Sequence, residues 1–157
     1  MDFKKYLTDT FEYNRKANIQ ILKKIKKLSD TTEAVKLFSH LINCQFKWMA
    51  RVVQDSKSSE MDWWNPIYKI DELESKWNES LQIWFEYLES KTEEELWKEV
   101  TFIGFDSGKF AATPADIALQ LNYHSIHHRA QIQTIIRKQG LVPDFVDYIG
   151  TKYRKLT

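Results

Sequence analysis

Apolar residues recur at helical spacing along most of the chain, and the few breaks in that pattern fall in three places. A first helix is expected from about Phe3 to Leu28. A second begins at a capping box, with Asp30 as cap and Glu33 three positions on, and carries Leu37, Leu41, Cys44, Trp48 and Val52 along one face to about Gln54. The polar and aromatic stretch from Asp55 to Ile70 is too long for a tight turn between helices. A third helix follows from about Asp71 to Glu89, with Leu73, Trp77, Leu81, Trp84, Phe85 and Leu88 as its stripe. A second capping box, Thr92 to Glu95, restarts a short helix to about Val100. Thr101–Phe110 alternates weakly around Gly104 and Gly108, as a small hairpin or loop does. Thr113-Pro114-Ala115-Asp116 is a strong helix start, and that helix runs to Gln139 and stops at Gly140. One more short helix is expected around Phe145–Tyr153.

Four long helices with one apolar face each make an all-α four-helix bundle. The long link between the second and third has room to cross the bundle, so these two can run parallel. Composition agrees: only 4 Gly and 3 Pro in 157 residues leave too few turn formers for a β-sandwich or barrel. The length is that of one domain, residues 1–157, which needs no disulfide or metal to fold.

Charge narrows the function by exclusion. Lys and Arg number 23 against 22 Asp and Glu, a net of +1, so there is no basic footprint for nucleic acid. The one dense basic run, Lys23-Lys24-Ile25-Lys26-Lys27, reads as the solvated end of the first helix, where cations complement the helix dipole. A single cysteine, Cys44, excludes an intrachain disulfide framework and reads as a small apolar residue. No apolar run reaches the ~20 residues of a membrane span. The opening Met1-Asp2-Phe3-Lys4-Lys5 lacks the apolar stretch of a leader, and a cytoplasmic protein is expected.

The histidines carry the chemistry. Of four, three lie within five residues of the last long helix: His124, His127 and His128. With Leu121 as origin and 100° per residue, His124 falls at roughly −60° and His128 at roughly −20°, both inside the apolar stripe of Ile117, Leu121, Ile132, Ile135 and Ile136. His127 falls at roughly −120°, on the rim. Two imidazoles one turn apart on a buried face need partners, because an unpaired buried polar group costs on the order of 1–3 kcal/mol. A divalent ion satisfies both at once; a pair of hydrogen-bonded core histidines is the alternative. His40, at the edge of the second helix's apolar face, can meet that pair across the bundle, leaving a coordination position open.

The segment Asn122-Tyr123-His124-Ser125-Ile126-His127-His128-Arg129-Ala130-Gln131-Ile132, with Arg137, Gly140, Pro143 and Asp147-Tyr148-Ile149 behind it, resembles the C-terminal signature of the DinB-like superfamily. The second helix, with His40 eight residues before Trp48, resembles that family's second-helix motif, and Tyr13-Asn14 and Ala17-Asn18 fit its first helix. The resemblance implies an up-down-down-up bundle with one divalent ion (Zn, Ni or Fe) held by His40, His124 and His128. It also implies a homodimer and, in some relatives, thiol transfer or hydrolysis of small amide-like substrates; most relatives have no assigned activity. Ala130 stands where Gly is usual, and Gln120 where many relatives carry a further His.

Around these three residues, Gln131 and Asn18 or Asn14 are candidates to orient a ligand imidazole. Arg129 is expected at the bundle rim, paired with Asp147, with a substrate anion as its alternative partner. Trp63-Trp64, in the long link, are expected to cover one end of the bundle or serve an oligomer interface. The expected function is a metal-dependent hydrolase or thiol S-transferase for a small molecule, with its catalytic residues unassigned. The rival is a non-catalytic metal- or ligand-binding bundle of a stress response. No carboxylate shares the His124/His128 stripe beyond Asp116, so no general base stands out.

Overall fold

The computed structural model describes residues 2–156; Met1 and Thr157, the outer limits of the expected 1–157 unit, lie outside them. Four long helices carry the described chain: α1 (Phe3–Ile25), α2 (Thr32–Val52), α3 (Leu73–Ser90) and α5 (Pro114–Lys138). Between the last two come a single-turn α4 (Glu93–Leu96) and a hairpin of β1 (Val100–Ile103) and β2 (Lys109–Ala112), paired antiparallel with Val100 opposite Ala112.

Local chemistry sets most of the ends. The Thr92 hydroxyl accepts from the Glu95 amide while the Glu95 carboxylate accepts from the Thr92 amide, closing the expected capping box of α4. At α5 the Thr113 hydroxyl accepts from the Asp116 amide and donates to the Asp116 carboxylate, with Pro114 in the first turn. Gly140, at φ +80°, ends α5 in the left-handed region that glycine adopts without strain.

Three expectations are corrected. The cap of α2 is Thr31, without a side-chain bond; Asp30 accepts only from the Thr32 amide, so no capping box forms with Glu33. The first helix ends at Ile25, because Lys27 and Leu28 bond back to Lys24 and Ile25 in tighter turns. The tail holds a 3-10 turn at Tyr148–Thr151 in place of a helix over 145–153.

Side-chain pairs give the course of the bundle. α1 packs on α5 and α3, and α2 packs on α3 and α5. Thr10 bonds Asn122 and Asn14 bonds Arg129, so α1 and α5 run parallel. Phe38 meets Trp77 and the Gln45 carbonyl accepts from Trp84, so α2 and α3 are parallel too. Phe11 lies against Trp84 while Arg15 accepts from Trp77, which makes α1 and α3 antiparallel. The order is up-down-down-up, and the link after α2 crosses the bundle.

The core is apolar around Phe11, Phe38, Trp77 and Trp84, all fully buried. One polar seam interrupts it between α1 and α5. Asn18 donates to the Ser125 hydroxyl at 2.7 Å, and the Arg129 guanidinium donates to Asn14, Asn18 and the Tyr13 hydroxyl at 2.8–3.2 Å. A buried cation satisfied by neutral acceptors is costly to disturb. Asn18→Leu strips a partner from both Ser125 and Arg129, and is expected to lower the unfolding free energy by about 2–3 kcal/mol in urea titration. A loss under about 0.5 kcal/mol contradicts the seam's structural role.

Candidate metal centre

Antiparallel packing of α2 against α5 brings three imidazoles together. The His40 and His124 Nε2 atoms lie 2.9 Å apart. The ring centroids of His40, His124 and His128 are 4.4–5.0 Å from one another. His127, one position before His128, is exposed.

Backbone and amide acceptors orient two of the rings. His40 Nδ1 lies 2.7 Å from the Trp63 carbonyl, which can only accept, so Nδ1 carries the proton and Nε2 is left as a bare lone pair. His128 Nδ1 lies 2.6 Å from Gln131 Oε1, with the same consequence for its Nε2. The Gln131 amide nitrogen faces His127 at 3.5 Å, which leaves its oxygen for His128. Gln131 thus bonds an imidazole, whereas Asn18 and Asn14 bond Arg129. Arg129 itself is corrected: it is buried at 3% exposure in the seam, not at the rim, and forms no ion pair with Asp147.

The link supplies the rest of the site. The Asp62 carboxylate accepts from the Trp64 and Asn65 amides, which holds its pKa below the usual carboxylate range and shapes the turn. That turn presents the Trp63 carbonyl and lays the Trp64 ring flat on His40, 3.9 Å between centroids and 12° between planes. Arg51 stacks on Trp48, Trp63 and Phe102 at 4.7–5.0 Å and donates to the Ile103 carbonyl, tying link and hairpin to α2. Both tryptophans therefore pack on the site.

Cys44 is the residue that sequence reasoning missed. It is buried one turn after His40, with Sγ 3.7 Å from His124 Nε2. The ligand-type atoms of His40, Cys44 and His124 lie within 4.8 Å of one another as the side chains stand. The signal was present: His40 and Cys44 share the i,i+4 spacing of His124 and His128. Yet Sγ is nearly equidistant from the two His40 nitrogens, 3.7 Å from Nδ1 and 3.6 Å from Nε2, which places sulfur off the Nε2 lone-pair direction. Burial pushes the thiol up to about 12.

Beside these groups lies a cavity of about 200 Å³, walled by His40, Cys44, Trp48, Trp63, Gln120, Leu121 and His124 and containing no carboxylate. Burial lowers the pKa of His40, His124 and His128. Their mutual repulsion adds to this and brings His124 to about 4. All three are neutral at pH 7, the form that binds metal.

The DinB family profile matches residues 1–155. The chain belongs to the DinB family. No curated protein and no solved structure matches it. The histidine order that resembles this family, one in α2 and two in α5, is the order that meets at the site. No helix of the described residues is long and apolar enough to cross a membrane. As a DinB-family bundle with a cluster of imidazoles and a thiol, the protein has the donors of a metal centre.

The depressed imidazoles give a pH signature. The unfolded chain takes up protons near pH 6.5 while the folded His124 resists to about 4, so stability is full above that window and falls as pH drops through it. In metal-free protein the melting temperature is expected to decline between these limits, and His124→Asn to flatten the slope. An equal slope in both proteins contradicts the assignment.

Proposed function

We propose that this DinB-family chain holds one divalent ion, Zn, Ni or Fe, through His40, His124 and His128, and uses it in thiol S-transfer on a small molecule. The observation that carries the reading is the pair of oriented rings: Trp63 and Gln131 occupy Nδ1 of His40 and His128, leaving Nε2 of each without a proton, with His40 Nε2 at 2.9 Å from His124 Nε2 and the His128 ring 4.4 Å from the His124 ring between centroids. The donors fit: neutral imidazoles suit all three metals, and no carboxylate is present to favour a harder ion. In this reading Cys44 lines the floor beside the rings and does not ligate.

When bound, such an ion lowers the pKa of a coordinated water or thiol and polarises an electrophile. The walls then bear on the reaction class. Hydrolysis needs a base to take a proton from water, and the cavity offers no carboxylate for it. A thiol brings a proton already acidic enough to be lost. Thiol transfer is therefore favoured over hydrolysis. Trp48, Trp63 and Leu121 exclude water from one side of the cavity, and Gln120 supplies a neutral polar contact. The neutral walls suit an uncharged substrate. Homodimerisation, which rests on the resemblance to relatives, and a cytoplasmic setting belong to the same reading.

Elemental analysis of protein purified without a metal-affinity tag tests it, followed by a screen of thiol–electrophile pairs and amide esters with and without added ion. About one ion per chain and metal-dependent consumption of a thiol pair are expected. His128→Ala is expected to lose the ion at unchanged far-UV circular dichroism, and His127→Ala to keep it. Loss in His127→Ala with retention in His124→Ala overturns the ligand set. A stoichiometric ion with no turnover of any pair favours the rival, a bundle that binds metal or ligand without catalysis.

A further inference from the structure

Charge is unevenly spread along the chain. Residues 13–29 and 148–156 hold nine Lys and Arg and no Asp or Glu, while the rest of the sequence holds 14 against 22. The near-neutral total thus conceals a strongly basic part and an acidic remainder. The local distribution, not the total, sets the field over a surface.

The fold brings the two basic segments side by side. After α5 the tail turns back along α1: Asp144 pairs with Lys24 at 3.4 Å, the Val146 carbonyl accepts from the Tyr13 hydroxyl, and the Tyr148 ring stands edge-on to Tyr13. Lys152 lies over the Tyr148 ring at 5.1 Å. On α1, Lys16, Lys23, Lys24 and Lys27 wall an open groove of about 530 Å³, in which Asp144 is the one acid. A neighbouring hollow shares Lys16 and Gln20 with that groove and is bounded by Phe145 and Tyr153 of the tail, so cations and tail form one continuous surface. Lys16 is paired with Glu12, and Lys24 with Asp144. Lys23, Lys26, Lys27, Lys152, Arg154 and Lys155 are exposed and form no ion pair among the described residues. The dipole of α1 accounts for cations around its last turn, and does not reach Lys16 or the tail.

Large apolar side chains stand among these charges. Val142, Phe145, Ile149, Tyr153 and Leu156 are 58–79% exposed. Apolar groups exposed together mark a surface that something covers. A single-stranded nucleic acid would stack on the rings and neutralise the lysines, but it offers the aliphatic side chains nothing. An anionic bilayer answers both halves: its headgroups attract the cations, and its interface takes up the apolar side chains. No spanning helix is required for such attachment. We infer that α1 and the tail form a docking face for an anionic phospholipid bilayer, with Lys23, Lys26 and Lys27 at the headgroups and Phe145 and Tyr153 entering the interface. The imidazole cavity takes no wall from α1 or the tail, so docking on this face leaves it uncovered.

Co-sedimentation of the full chain with vesicles of phosphatidylglycerol and phosphatidylcholine in equal parts, against phosphatidylcholine alone, tests this. Binding to the anionic vesicles is expected, falling as salt rises, and roughly tenfold weaker or less to the neutral ones. Each cation near such a surface strengthens binding about fivefold. Lys23→Gln/Lys26→Gln/Lys27→Gln is therefore expected to bind at least about tenfold more weakly, and the matching Arg triple to bind as the unmodified chain does. Phe145→Ser/Tyr153→Ser, which keeps every charge, is expected to weaken binding by about fivefold or more. All five positions are exposed, and unchanged far-UV spectra are expected. Equal sedimentation with neutral vesicles, or full binding by the Gln triple or by the Ser pair, overturns the proposal. So does the absence of binding, the result expected if an acidic protein or a second copy of the chain covers this face. Release from the vesicles by short single-stranded DNA at equal phosphate concentration assigns the face to nucleic acid and overturns it as well.

Discussion

The antiparallel contact between α2 and α5 sets the terms for everything at the site, because it forces imidazoles against one another where water is scarce. With Nε2 atoms 2.9 Å apart and no carboxylate on the cavity wall, the cluster cannot carry several protons at neutral pH. Either one ring donates to the next, or the lone pairs share a cation. The crossing link that lets α2 and α3 run parallel is also what orients His40, through the Trp63 carbonyl and the stacked Trp64 ring. Course and chemistry therefore depend on the same segment.

α5 serves two neighbours at once. Its imidazole face meets α2, while Asn122, Ser125 and Arg129 meet α1 through hydrogen bonds to Thr10, Asn18 and Asn14. A directional polar seam fixes the helix's rotation and axial position more sharply than aliphatic packing does. Any sliding of α5 that displaces His128 also breaks the Arg129 contacts, so the seam holds the site geometry from the far side of the helix.

Much of this was legible in the sequence wherever a side chain's own chemistry decides the outcome. Thr113-Pro114 and Thr92/Glu95 announce helix starts because their bonds are local, and the angular positions of His124 and His128 follow from helix period alone. The length of the Asp55–Ile70 stretch gave the crossing. Arg129 was placed at the rim because one apolar stripe was drawn for α5; a helix flanked by two others buries a wider arc, and its polar edge pairs inside. The Trp63 contact was beyond reach, since a backbone carbonyl in an irregular link leaves no residue-type signature. Cys44 was passed over because thiols bury readily as small apolar groups, although its spacing from His40 matched that of the helix 5 pair.

Three imidazoles, with the thiol standing aside, are proposed to hold the ion. X-ray absorption on zinc-loaded protein measures this directly. Nitrogen or oxygen neighbours at about 2.0–2.1 Å are expected, with imidazole outer-shell scattering from three rings. A sulfur neighbour at about 2.3 Å in place of one ring, or no specifically bound zinc, contradicts it.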